Sequence, residues 1–177
     1  MPHLDTLAKA VVEEICNALP QGVHTLKTIP EGETIEPGYD VKGYDVEIIP
    51  SSAKAPRILV HAPADSWEAN VGFGNHGHTE IWYKKVHEAD KVFMQDLITV
   101  LTTIMTSHWE ERIVLLGDTW ASSTALLPSP IGTVHSSLGL KGLLARFVPS
   151  AWKKESVAAW EPYRSEHNEE MEGSGKH

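Results

Sequence analysis

The chain has 177 residues, 41% of them hydrophobic and 22% charged, and a net charge of −9 at pH 7 with its ten histidines neutral. That length suits one domain, or one domain with a tail, and the composition excludes a collagen-like chain, a disulfide scaffold and a wholly disordered chain. The acidity argues against nucleic acid and anionic membranes as partners and for a basic protein or a cation.

No apolar run approaches the roughly 18 residues that a membrane-spanning helix needs. Cys16 is the only cysteine, so neither an internal disulfide nor a thiolate metal cluster is expected. The first residues, Met1-Pro2-His3-Leu4-Asp5, lack the basic stretch and apolar core of a signal peptide. The expected location is therefore the cytoplasm.

Residues 4–19 predict a helix: Leu4, Leu7, Val11, Ile15 and Leu19 recur at helical spacing, and Pro20 and Gly22 stop it. Cys16 lies beside this stripe and is expected to be a small core residue, because no base or cation flanks it there. Residues 28–43 are rich in proline, glycine and acid and read as a loop or an irregular strand. Residues 44–50 alternate and end at Pro50, which predicts a strand; Arg57–Ala62 predicts a second.

Residues 67–84 carry the clearest alternation. Trp67, Ala69, Val71, Phe73, Ile81 and Tyr83 are apolar, while Glu68, Asn70, Gly72, Gly74, His78 and Glu80 are polar or small. This is the pattern of a half-buried antiparallel hairpin. A loop Asn75-His76-Gly77, with Gly77 in the left-handed position, would pair Val71 with Ile81 and Ala69 with Tyr83. A loop one residue longer would set apolar against polar throughout.

Residues 88–108 predict a long amphipathic helix, with Phe93, Leu97, Leu101 and Ile104 on its apolar face, packed across the sheet. Two strands follow, 112–117 and 119–127, with a turn at Gly117-Asp118. Leu138–Phe147 and Trp152–Trp160 read as C-terminal helices capped by serines. Residues 165–177 are charged and then Gly-Ser-Gly, which predicts a disordered tail after a single domain over 1–164. Hairpin strands with helices set apart from them predict an α+β fold with a mostly antiparallel sheet.

His76, His78 and Glu80 are the residues with metal-ligand spacing. On one continuous strand their neighbouring Cα atoms would lie about 6.6 Å apart on a common face. The hairpin reading weakens this, because His76 then sits in the turn. No metal or other cofactor is therefore expected, and the imidazoles read as a polar patch or a partner contact. Trp82 falls among the polar positions, as an aromatic at an interface does. His61, His87, His108 and His135 read as half-buried or surface residues rather than general bases. There is no Gly-x-Ser-x-Gly elbow and no phosphate-loop lysine.

The run from Val71 to Glu80, then a helix, then the segment from Arg112 through Trp120 to Ser123, resembles a group of small uncharacterised bacterial proteins. These carry a Phe-Gly-x-x-His-x-His strand, a helix and a hairpin around a tryptophan, and some resemble immunity proteins of polymorphic toxin systems. The resemblance covers about residues 65–127, and Thr79 stands where such proteins usually have an aromatic residue. It implies a non-enzymatic cytoplasmic binding protein.

The leading expectation is thus an acidic protein-binding protein acting on a basic toxin domain, with Asn75, His76, His78, Glu80 and Trp82 as contacts. The alternatives are a metal-dependent hydrolase using His76, His78 and Glu80, with Asp118 as a further carboxylate, and a small-ligand binding module.

Overall fold

In the computed structural model, the described residues are 4–32, 34–36, 39–40, 42–64, 68–74, 77–82, 89–117, 119–137, 151–157 and 160. They form an α+β fold with two antiparallel sheets of five and four strands, a two-stranded ribbon and two helices.

The first helix, α1, runs over Leu4–Ala18 and buries Leu7, Ala8, Val11, Val12 and Cys16. The larger sheet contains β1 (His24–Thr28), β4 (Gly43–Pro50), β5 (Ile58–Pro63), β6 (Glu68–Phe73) and β7 (Gly77–Trp82), in the order β1-β4-β5-β6-β7. The ribbon joins β2 (Thr34–Glu36) to β3 (Tyr39–Asp40), inside the stretch that the sequence marks as irregular. The second helix, α2, spans Ala89–Thr106. The smaller sheet contains β8 (Trp109–Leu116), β9 (Thr119–Leu126), β10 (Thr133–Ser137) and β11 (Ala151–Val157), in the order β10-β9-β8-β11.

Strand alternation builds the core. Val46, Ile48, Ile58, Val60, Ala62, Ala69 and Val71 are fully buried on one face of the larger sheet. The helix that lies on β4, β5 and β6 is α1, and α2 packs in turn against α1. This differs from the expectation of α2 lying across the sheet: α1 is the helix with small Ala8 and β-branched Val11 and Val12 on its inner side, which allow close approach to the strands. Phe93, Leu97, Leu101 and Ile104 of α2 are nonetheless fully buried. At the other end of the core, Phe73 meets Trp109 edge to face, with ring centroids 5.4 Å apart.

Two further expectations are corrected. The segment read as a helix over Trp152–Trp160 forms β11 across Ala151–Val157, paired along its whole length with β8. The β8 strand would otherwise present an unpaired edge, and satisfying its backbone groups outweighs a weak helical propensity. The helix read over Leu138–Phe147 and the tail at 165–177 lie outside the described residues. The β6–β7 register also differs: Val71 pairs with Thr79 and Ala69 with Ile81, so the loop spans 74–76 and Gly77 enters the ladder opposite Phe73. Gly74, the first residue of that loop, is left-handed, at φ 72°. The shift is by two residues, so odd positions still face odd positions, as the pleat requires.

Candidate functional site

The two faces of the larger sheet differ in chemistry because its strands alternate. The face opposite α1 carries Asp45 and Glu47 from β4, Leu59 and His61 from β5, and Asn70 from β6. The register runs straight across: Asp45 opposes His61, His61 opposes Asn70, and Asn70 opposes Glu80. One row thus holds two carboxylate residues, a histidine and an amide on four successive strands.

Asp45 is the anomaly of this row. It is 1% exposed, although it sits on the polar face. Its Oδ1 lies 2.5 Å from His61 Nδ1, while its Oδ2 has no hydrogen-bond partner among the described residues. Its backbone carbonyl accepts a bond from Ile29 N–H, which carries the β1–β4 ladder one step further. A buried carboxylate needs compensation by hydrogen bonds or positive charge, and the imidazole is the group placed to supply it. Glu47, two residues on, pairs with Arg57 at 3.4 Å; this arginine is mostly solvent-exposed and the pair is weak.

The sequence-derived site residues distribute as follows. His78, Glu80 and Trp82 stand on β7, opposite Gly72, Asn70 and Glu68. Asn75, His76 and Asp118 lie outside the described residues, as does His87. His61 is half-buried and bonded to Asp45, in keeping with its reading as a satisfied histidine. His108 is exposed, and His135 Nδ1 lies 3.0 Å from Thr124 Oγ1 across the β9–β10 pair. Asp45 was not anticipated as a site residue. Its only sequence signal was its place at an odd position of an alternating strand, which marks an ordinary exposed carboxylate equally well.

A second buried carboxylate belongs to β8. Glu111 is fully buried, and its Oε2 would lie 3.0 Å from a Cβ placed on Gly74. The glycine lets the β6–β7 turn approach both this carboxylate and the Trp109 ring. Among the described residues, no three histidine, cysteine, aspartate or glutamate side chains form a group that could hold a metal ion. Among the described residues, no helix is long and apolar enough to cross a membrane. No protein-family model, curated protein or solved structure matches this chain.

Proposed function

We propose that this chain acts in the cytoplasm by binding a basic protein, in the manner of an immunity protein that neutralises a toxin domain. The observation that carries this reading is charge: 24 acidic residues stand against 15 basic ones. Such an excess accelerates encounter with a cationic partner and makes the association sensitive to salt. The contacts proposed are Asn75, His76, His78, Glu80 and Trp82. What supports their grouping is that His78, Glu80 and Trp82 share β7, the last strand in the order of the larger sheet, and that Asn75 and His76 precede it directly. An aromatic residue flanked by polar groups has the composition of an interface hot spot.

The test is affinity capture by the full chain from the native cell lysate at low and high salt, with the captured protein identified and then expressed alone. The expected result is a basic protein, retained at low salt and lost at high salt, whose expression arrests growth unless this chain is co-expressed. Trp82→Ala should weaken capture at least tenfold with an unchanged melting temperature. A captured protein that is acidic, or capture indifferent to both salt and Trp82→Ala, would overturn the reading.

A further inference from the structure

The larger sheet ends at β1, and among the described residues no strand lies beyond it. Thr25, Leu26, Lys27 and Thr28 are all exposed. An open edge presents unpaired backbone groups, and the ladder shows which they are. Ile29 donates its N–H to the carbonyl of Asp45, and Ser51 donates its N–H to the carbonyl of Val23. Bonded residues alternate in an antiparallel pair, so Val23, Thr25, Lys27 and Ile29 turn their backbone groups to β4. His24, Leu26 and Thr28 turn theirs to the open edge. In keeping with this alternation, the residue opposite His24 is Pro50, which has no N–H to give.

This outward set is bounded at both ends. Pro30 stands at the next outward position and offers no N–H, and Gly22, at φ 82°, turns the chain before His24. The side chains add a second feature. Leu26 opposes Ile48, Ile48 opposes Ile58, and Ile58 opposes Phe73. Directly opposed residues share a face, so these four form one apolar row on the face that holds α1. Ile48, Ile58 and Phe73 are buried, whereas Leu26 is 39% exposed. The core row therefore runs to the edge of the sheet and stops there uncovered.

We propose that β1 pairs with β1 of a second copy of this chain, antiparallel and about a two-fold axis at Leu26, joining the two larger sheets into one. This register sets Leu26 against Leu26 and His24 against Thr28, so each outward N–H and C=O of both strands gains a partner. An axis at Lys27 would set His24 against Pro30, and an axis at Thr25 would set Thr28 against Gly22, where the chain turns. The two Leu26 side chains cover each other and continue the apolar row from one core to the next. Lys27 faces Thr25 of the other copy, so the lysine of the strand does not meet its like. A strand of another protein would satisfy the backbone as well, but the apolar row and the charge are both matched by β1 itself. The proposal is independent of the protein-binding reading, because β7 lies at the opposite end of the sheet order.

The experiment is sedimentation equilibrium of the full chain at rising concentration, up to about 1 mM, with amide hydrogen exchange at both ends of the range. A monomer–dimer equilibrium is expected. At high concentration the amides of His24, Leu26 and Thr28 should gain protection, while those of Thr25 and Lys27, already bonded to β4, should change little. Leu26→Lys should raise the dissociation constant about tenfold or more, because it sets two like charges against each other. Val92→Lys, at an exposed apolar residue of α2, should leave it unchanged. Melting curves of both variants control for folding.

The exchange measurement on the unaltered chain decides the matter if Leu26→Lys unfolds. A chain that stays monomeric, a dimer that survives Leu26→Lys or is lost in Val92→Lys, or a dimer whose three outward amides stay unprotected would each overturn the proposal. Protection of those amides only on addition of a captured basic protein would also overturn it, and would assign the edge to a strand of that partner.

Discussion

Gly74 illustrates how one residue can be held by two separate constraints. Its φ of 72° is costly for a side chain, and an added Cβ would lie 3.0 Å from Glu111 Oε2 and 3.1 Å from the Trp109 ring. Both neighbours are buried and have little room to retreat. Gly74→Ala should therefore lose about 1 kcal/mol or more, measured by urea unfolding, and Gly77→Ala should lose less. Equal losses would return the left-handed role to Gly77. Cys16 and Tyr44 supply a second test at this scale. Burial pushes the Cys16 thiol from 9.0 up to about 11. Burial, helped by the negative charges of Glu13 and Cys16, pushes the Tyr44 phenol from 10.0 up to about 12. Both groups hold their protons more tightly when folded, so their contribution is complete below pH 9 and declines as the pH rises toward 11 and 12. Stability should fall across that alkaline window, and Cys16→Ala should flatten the part between pH 9 and 11. A curve unchanged by Cys16→Ala would remove the thiol from this account.

Among the elements, α2 is stabilised by packing rather than by its ends. It carries Asp90 in its first turn and no basic residue in its last, so its favourable dipole interaction is confined to one end. Its burial of Phe93, Leu97, Leu101 and Ile104 supplies the rest. Leu101→Ala should lose about 2–5 kcal/mol in denaturant unfolding, and a loss below about 1 kcal/mol would mean that its cavity collapses freely. The β6–β8 contact can be weighed in the same way. Phe73 and Trp109 meet at an interplanar angle of 84°. A double-mutant cycle with Phe73→Leu and Trp109→Leu should return a coupling of about 0.5–1.5 kcal/mol beyond lost area. A coupling near zero would show that the rings are neighbours without a specific geometry.

For the whole molecule, the arrangement of sheets decides which polar residues become neighbours. Hairpin pairing between β4 and β5 and between β5 and β6 carries the row from Asp45 to Asn70, and β7 extends it to Glu80. The smaller sheet meets the core through Trp109 and Ala125, while Trp160 is fully buried and donates its backbone N–H to the carbonyl of Met105. At this scale the acidity matters most. A net charge of −9 repels itself, so moderate salt should raise the melting temperature by screening. The same salt should weaken capture of a basic partner. A melting temperature that falls steadily with salt would instead point to stabilising ion pairs.

Local pattern was enough for the elements whose residues bury one face. The helical stripe of Leu7, Val11 and Val12, the alternation from Val46 to Ile48 and from Ala69 to Phe73, and the two strands around Gly117 could be read directly, because side-chain period reports which face meets the core. The parity of the β6–β7 hairpin was readable for the same reason, whereas its register was not, since shifts by two residues preserve every face. The strand β11 was hidden because its sequence has no strong period and its reason to be extended is the edge of β8, a distant segment. The candidate site divides in the same way. His78 and Glu80 share a strand and could be singled out together, but Asp45 and His61 become a pair through cross-strand register, a relation between residues 16 apart that no local period encodes. Spacing along the chain determines which side of a strand a residue takes; only the folded sheet determines what stands beside it.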